Sequence, residues 1–112
     1  MGIIENSDLD NRIKQLREQK NRIVFTNGCF DLLHNGHIDL LNKASTYGDI
    51  LIVGLNSDNS VKILKGQGRP IENEITRSKK LLEISNVDFV IIFNSETPKD
   101  LIIKIMPDVL VK

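Results

Sequence analysis

The chain has 112 residues, 40% of them apolar, with 15 basic and 15 acidic side chains and a formal net charge of zero. That length suits one domain, the apolar content can supply a core, and the neutral balance lacks the broad positive field of a non-specific nucleic-acid binder. The single cysteine, Cys29, cannot form an intrachain disulfide and fits a reducing cytosol, and no run approaches the ~18 apolar residues of a membrane span, so the expectation is a cytoplasmic protein.

The opening, MGIIENSDLDNR, has no basic region followed by a long apolar stretch, so it reads as no secretory signal. SDLDNRIKQLREQ places Leu9, Ile13 and Leu16 at helical spacing, with Ser7 or Asp8 as cap. RIVFTN is a short β-branched run ending at Asn-Gly, a strand entering a turn. GHIDLLNKASTYG carries Ile38, Leu41 and Ala44 on one helical stripe and stops at Gly48. DILIVGLNSD is continuously apolar from Ile50 to Val53, which suits a strand buried on both faces. NSVKIL suits a short helix, and KGQGRPIEN, with two Gly and one Pro, a loop. ITRSKKLLEI reads as helix, VDFVIIF as strand, TPKDLIIKIM as helix with Thr97 as cap and Pro98 in its first turn, and DVLV as a last strand.

Strand and helix alternate through four strands after the first helix. That order predicts an α/β, doubly wound parallel sheet covered by helices on both faces, in a single domain over 1–112 with an N-terminal helix in 1–21 and a core in 22–112. In such sheets ligands sit beyond the carboxyl ends of the strands, where the chain order reverses. The turns TNGCFDLLHNGH and NSDNSVKILKGQGR, after the first two predicted strands, are therefore the places to look.

The first of these turns holds both histidines of the chain, His34 and His37. Gly28 gives the backbone freedom to adopt positive φ and approach a ligand. Gly36 and His37 start a helix, where unpaired N–H groups and the dipole favour an anion. Imidazoles three residues apart reach the same side and can donate to phosphate oxygens. A lone loop histidine is more often structural or solvated, but two at one helix start make that reading the weaker one. Two histidines with no third His or Cys at ligand spacing do not complete a zinc site.

TNGCFDLLHNGH resembles the signature of the cytidylyltransferase-like nucleotidyltransferases, whose mark is His-x-Gly-His. VGLNSD, LKGQGRPI, an Arg in the next helix and TPKDLIIKIMPDVLVK resemble one branch in particular, the adenylyltransferase domain acting on D-glycero-β-D-manno-heptose 1-phosphate. The resemblance implies a Rossmann-like fold and transfer of AMP from ATP to the sugar phosphate with release of pyrophosphate. It implies catalytic roles for His34, His37 and Lys65. Nucleotide contacts are implied at Thr26, Asn27, Gly28, Cys29, Phe30, Gly36 and Arg77, with Arg77 holding the β- or γ-phosphate region. Substrate contacts are implied at Asp31, Asn56, Asp58 and Arg69. Mg²⁺ is expected on the triphosphate rather than in a protein cage, and a homodimer is what the family implies.

Each role has a plainer rival: solvated charge for Lys65 and Arg69, helix-surface pairing for Arg77, a turn bond to nearby amides for Asp31, and a helix cap for Asn56 to Asp58. Cys29 has no base beside it in sequence, and small size suffices to explain it. Glycerol-3-phosphate cytidylyltransferases, which use CTP, resemble the chain too. In these relatives the strand matching PDVLVK leads to a Gly-Gly-Asp-Tyr-like turn, and a later Ser/Thr-rich segment opens another helix at the nucleotide. With that C-terminal part of the family fold absent, a nucleotide-binding module without turnover is the other expectation, and a plain interaction domain a third.

Overall fold

The structure, a computed structural model, describes residues 2–112, so only the first residue of the expected 1–112 domain lies outside it. Five parallel strands form one sheet: β1 (Gly2–Ile3), β2 (Ile23–Gly28), β3 (Ile50–Asn56), β4 (Phe89–Phe93) and β5 (Val109–Leu110). Their spatial order is β1-β4-β3-β2-β5. The chain thus steps outward from β2 through β3 to β4, then returns to the other side of β2 as β5. The reversal falls beside β2, and the carboxyl end of β2 opens the histidine turn, where such sheets hold ligands.

Alternation along the strands divides the core between two faces. Ile23 and Phe25 of β2, Ile52 of β3 and Phe89, Ile91 and Phe93 of β4 pack on one side. There they meet Leu9, Ile13 and Leu16 of α1 (Leu9–Glu18) and Leu101 and Ile105 of α5 (Lys99–Ile105). Val24, Leu51, Val53, Leu55 and Val90 face the other way, against Leu41 and Ala44 of α2 (Asn35–Ser45) and Leu81 of α4 (Glu74–Leu82). Burying each such Leu or Ile contributes about 1.5–3 kcal/mol, so the two-sided apolar strands are what hold helices on both faces. The short α3 (Asp58–Lys65) buries Val61.

The doubly wound parallel sheet is as expected, with one added strand: Gly2 and Ile3 pair in parallel with Phe89 and Val90 of β4. Two boundaries differ as well. Thr97 makes no capping bond, and α5 starts after Pro98, at Lys99. Helix α2 ends at Ser45, before Gly48. No helix among the described residues is long and apolar enough to cross a membrane.

Candidate active site

The turn from β2 to α2 begins where β2 runs out at Gly28. The left-handed conformations expected of Gly28 fall instead on Phe30 (φ 47°) and Leu32 (φ 56°). Each such non-glycine residue costs on the order of 1 kcal/mol, so tertiary bonds must hold them. Asp31, between the two, supplies these bonds. Its carboxylate accepts the backbone N–H of Ile71 at 2.8 Å, the N–H of Glu72 at 3.0 Å and the Arg69 guanidinium at 3.0 Å. Burial alone would raise the Asp31 pKa, but the two amides and Arg69 outweigh it and hold the carboxyl below its ordinary value. Gly28 serves close packing instead, because a Cβ there would stand 3.0 Å from the Phe30 ring.

The two histidines start α2 as a reciprocal cap. His34 is the N-cap residue, and its Nδ1 accepts the N–H of Gly36 at 3.0 Å. The Nδ1 of His37 in turn accepts the N–H of His34 at a longer 3.4 Å. A neutral imidazole that accepts through Nδ1 carries its proton on Nε2, so both rings are set as Nε2–H donors. The rings stack, centroids 3.8 Å apart, and Phe30 meets His37 edge-on at 5.4 Å. Burial, then the neighbouring charges of His34 and Lys65, hold the His37 pKa below the ordinary value of 6.5.

Asn27, Gly28, Cys29, Phe30, Asp31, His37, Leu40 and Lys65 line one cleft of about 240 Å³. Seven of these eight are residues singled out from sequence. Leu40 was missed, although it stands one helical turn after His37, on the same side of α2. His34 is exposed on the outer side of His37. Thr26 is buried within β2 and does not line the cleft.

Arg77, expected at the phosphates, is not at the cleft surface. It is fully buried, and its guanidinium donates to the carbonyls of Glu72, Cys29 and Asn56 and to the carboxylate of Asp58, at 2.8–2.9 Å. Asn56 is therefore buried behind the turn, its side chain donating to Ser60 and to the Ser95 carbonyl, while Asp58 reaches Arg77 from the partly exposed start of α3. Arg69 holds Asp31 rather than standing free. Glu72 escaped the sequence reading: its N–H binds Asp31 and its C=O binds Arg77, which joins the Gly-rich loop to both. A larger cleft of about 720 Å³, bordered by Ser57, Asn94 and Lys104, shares no lining residue with the histidine cleft and contains no histidine.

Among known proteins, residues 25–112 match the family model described as Cytidylyltransferase-like. The chain is 57% identical over 104 residues to the Bifunctional protein HldE of Helicobacter pylori strain P12, covering 93% of this chain and 22% of that protein. It is 56% identical over 105 residues to the Bifunctional protein HldE of Nitrobacter winogradskyi, covering 94% and 22%. The chain thus spans about a fifth of the length of the curated relatives it matches. A crystal structure of the lipopolysaccharide core biosynthesis protein from Thermoplasma volcanium superposes with a TM-score of 0.73 at 29% identity, over 80% of this chain and 72% of that one. Pantothenate synthetase from Thermus thermophilus shares the fold at 18% identity, with a TM-score of 0.51 over 82% of this chain and 32% of that one.

Proposed function

The chain belongs to the cytidylyltransferase-like family, and on that premise we propose that it is the nucleotidyltransferase domain that transfers AMP from ATP to D-glycero-β-D-manno-heptose 1-phosphate. The observation that carries the reading is the cleft at the end of β2, which His37 and Lys65 both line and where the histidine Nδ1 atoms are committed to backbone N–H groups. Its donors are the Lys65 ammonium, the His37 Nε2–H and a helix N-terminus, with His34 stacked on the outer side of His37; such a set suits a polyphosphate. The choice of acceptor and of ATP rests on the resemblance to the heptose 1-phosphate branch and on the identity to HldE proteins. A likeness to a lipopolysaccharide core biosynthesis protein supports the same sugar context.

In this reading a phosphate oxygen of the sugar attacks the α-phosphorus in line. The bond from that phosphorus to the bridging oxygen breaks, and pyrophosphate leaves with the electron pair. No residue forms a bond to the substrate. His37 donates from Nε2 to an α-phosphate oxygen as it gains charge, His34 donates beside it from the outer side, and Lys65 balances the phosphates across the cleft. Rate then comes from positioning and from preset donors. Mg²⁺ enters as part of the triphosphate substrate. Among the described residues no cluster of three His, Cys, Asp or Glu could hold a metal. Asp31, the acid lining the cleft, is taken up by Arg69 and two amides. In this reading the ligands of Mg²⁺ are phosphate oxygens and water.

A panel of ATP and CTP against heptose 1-phosphate and glycerol 3-phosphate, read by pyrophosphate release, tests the proposal. Release is expected with ATP and the heptose phosphate, lost in His37→Ala. Release with CTP and glycerol 3-phosphate instead, or an undiminished rate in His37→Ala, would refute it.

A further inference from the structure

Arg77 carries four hydrogen bonds at full burial and does not itself line the cleft. A buried guanidinium is costly unless paired and hydrogen-bonded, and a lysine cannot reproduce its fork. The partners of that fork are telling. One terminal nitrogen donates to both the Cys29 carbonyl and the Asn56 carbonyl, each at 2.8 Å, joining the histidine turn to the end of β3. The other donates to Asp58 at 2.8 Å, at the start of α3, the helix whose last residue is Lys65. Immediately after Cys29 comes Phe30, left-handed at φ 47°, buried, and edge-on to His37.

We propose that Arg77 is a positioning residue that acts through Cys29 and Phe30: its hold on the Cys29 carbonyl fixes the Phe30 ring against His37, and its hold on Asp58 fixes the helix that delivers Lys65. The kinetic part of this proposal rests on the nucleotidyltransferase reading; the structural part does not. The Phe30 ring is one of the surfaces that keep water from His37. The charged and titratable groups facing His37 are His34 at the start of its own helix, Lys65 from α3, and Asp31 and Cys29 across the cleft. Arg77 is not among them, so its removal reaches His37 only through the chain of contacts.

The test uses Arg77→Lys and Phe30→Leu in the full chain, with the His37 imidazole titrated by NMR in the nucleotide-free protein. In both variants the His37 midpoint is expected to rise toward the ordinary histidine value, as the ring becomes better solvated. In turnover, kcat is expected to fall by on the order of 100-fold while the KM for triphosphate moves by less than about threefold. A residue that only stabilises the fold would leave both the His37 midpoint and kcat of the folded protein unchanged. A ligand of the β- or γ-phosphate would raise KM and leave the free-protein titration alone. Either result overturns the proposal. If Arg77→Lys does not fold, Phe30→Leu decides alone, and an unmoved His37 midpoint there overturns the relay. Pyrophosphate release absent from the unmodified chain, with the midpoint shifts present, would refute the nucleotidyltransferase reading and leave the relay standing.

Discussion

The backbone N–H of His34 donates to Nδ1 of His37 at 3.4 Å, so the ring proposed for catalysis is also part of the cap that starts its own helix. Protonating that nitrogen would replace an acceptor by a donor and break the bond. Burial and the charges of His34 and Lys65 already favour the neutral form and lower the His37 pKa. The sign follows from proton counting. Below 6.5 the unfolded chain binds a proton at this position that the folded chain resists, so stability falls as pH drops from 6.5 through the lower folded value. Asp31 acts in a separate window. Its depressed folded pKa contributes stability that is complete above 3.8 and is lost as pH falls through the folded value. Melting temperatures between pH 7.5 and pH 5.5 should therefore drop more in the unmodified chain than in His37→Gln, with both falling further in stronger acid. Equal drops above pH 5.5 would show that His37 is not held neutral.

Replacing Asp31 by Asn tests the clamp between the histidine turn and the Gly-rich loop. Asn offers one accepting oxygen where the carboxylate offers two, and its NH₂ would face an N–H donor. Leaving one amide of Ile71 or Glu72 unpaired costs about 1–3 kcal/mol. Arg69, whose side chain is 41% exposed, contributes less: Arg69→Gln should cost no more than about 1 kcal/mol. Hydrogen exchange should speed up at Ile71 or Glu72 in Asp31→Asn and hardly at all in Arg69→Gln. The reverse ranking would place the clamp in the ion pair rather than in the amides.

These particular bonds mark where sequence reading stopped. The alternation of strands and helices was legible because the two-sided apolar runs of β2, β3 and β4 and the helical stripe Leu9, Ile13, Leu16 carry distinct periods. The two segments that leave the carboxyl ends of β2 and β3 followed from that order, and the helices they open, α2 and α3, deliver His37 and Lys65 to one cleft. β1 was not legible: two residues cannot show an alternation, and their pairing is decided by β4. Intrinsic preference points to glycine for left-handed backbone. Phe30 and Leu32 hold that conformation through Asp31, whose partners lie about 40 positions away. Arg77 did leave a sign. It precedes Leu81, buried in the core, by four positions on α4, so the buried stripe of that helix includes an arginine that must find partners inside.

Gly36 offers the sharpest separation of stability from function. Its φ is not in the left-handed region, so alanine fits the backbone, and alanine favours helix over glycine by up to about 1 kcal/mol. The obstacle is the neighbouring ring. A Cβ at Gly36 would stand 2.8 Å from Cε1 of His34 and 3.0 Å from its Nδ1. The imidazole must then swing out, giving up the bond to the Gly36 N–H and the stack on His37. Losing an N-cap costs about 0.5–2 kcal/mol, which nearly cancels the helix gain. Gly36→Ala should therefore melt within about 8 °C of the parent, taking about 4–8 °C per kcal/mol for a domain of this size. Nucleotide turnover should fall by on the order of tenfold, the scale of about 1.4 kcal/mol of lost transition-state stabilisation. Nitrogen NMR should report His34 exchanging between tautomers in place of a single Nε2–H form. Full turnover with His34 displaced would remove that ring from the site and leave the polyphosphate to His37, Lys65 and the helix start.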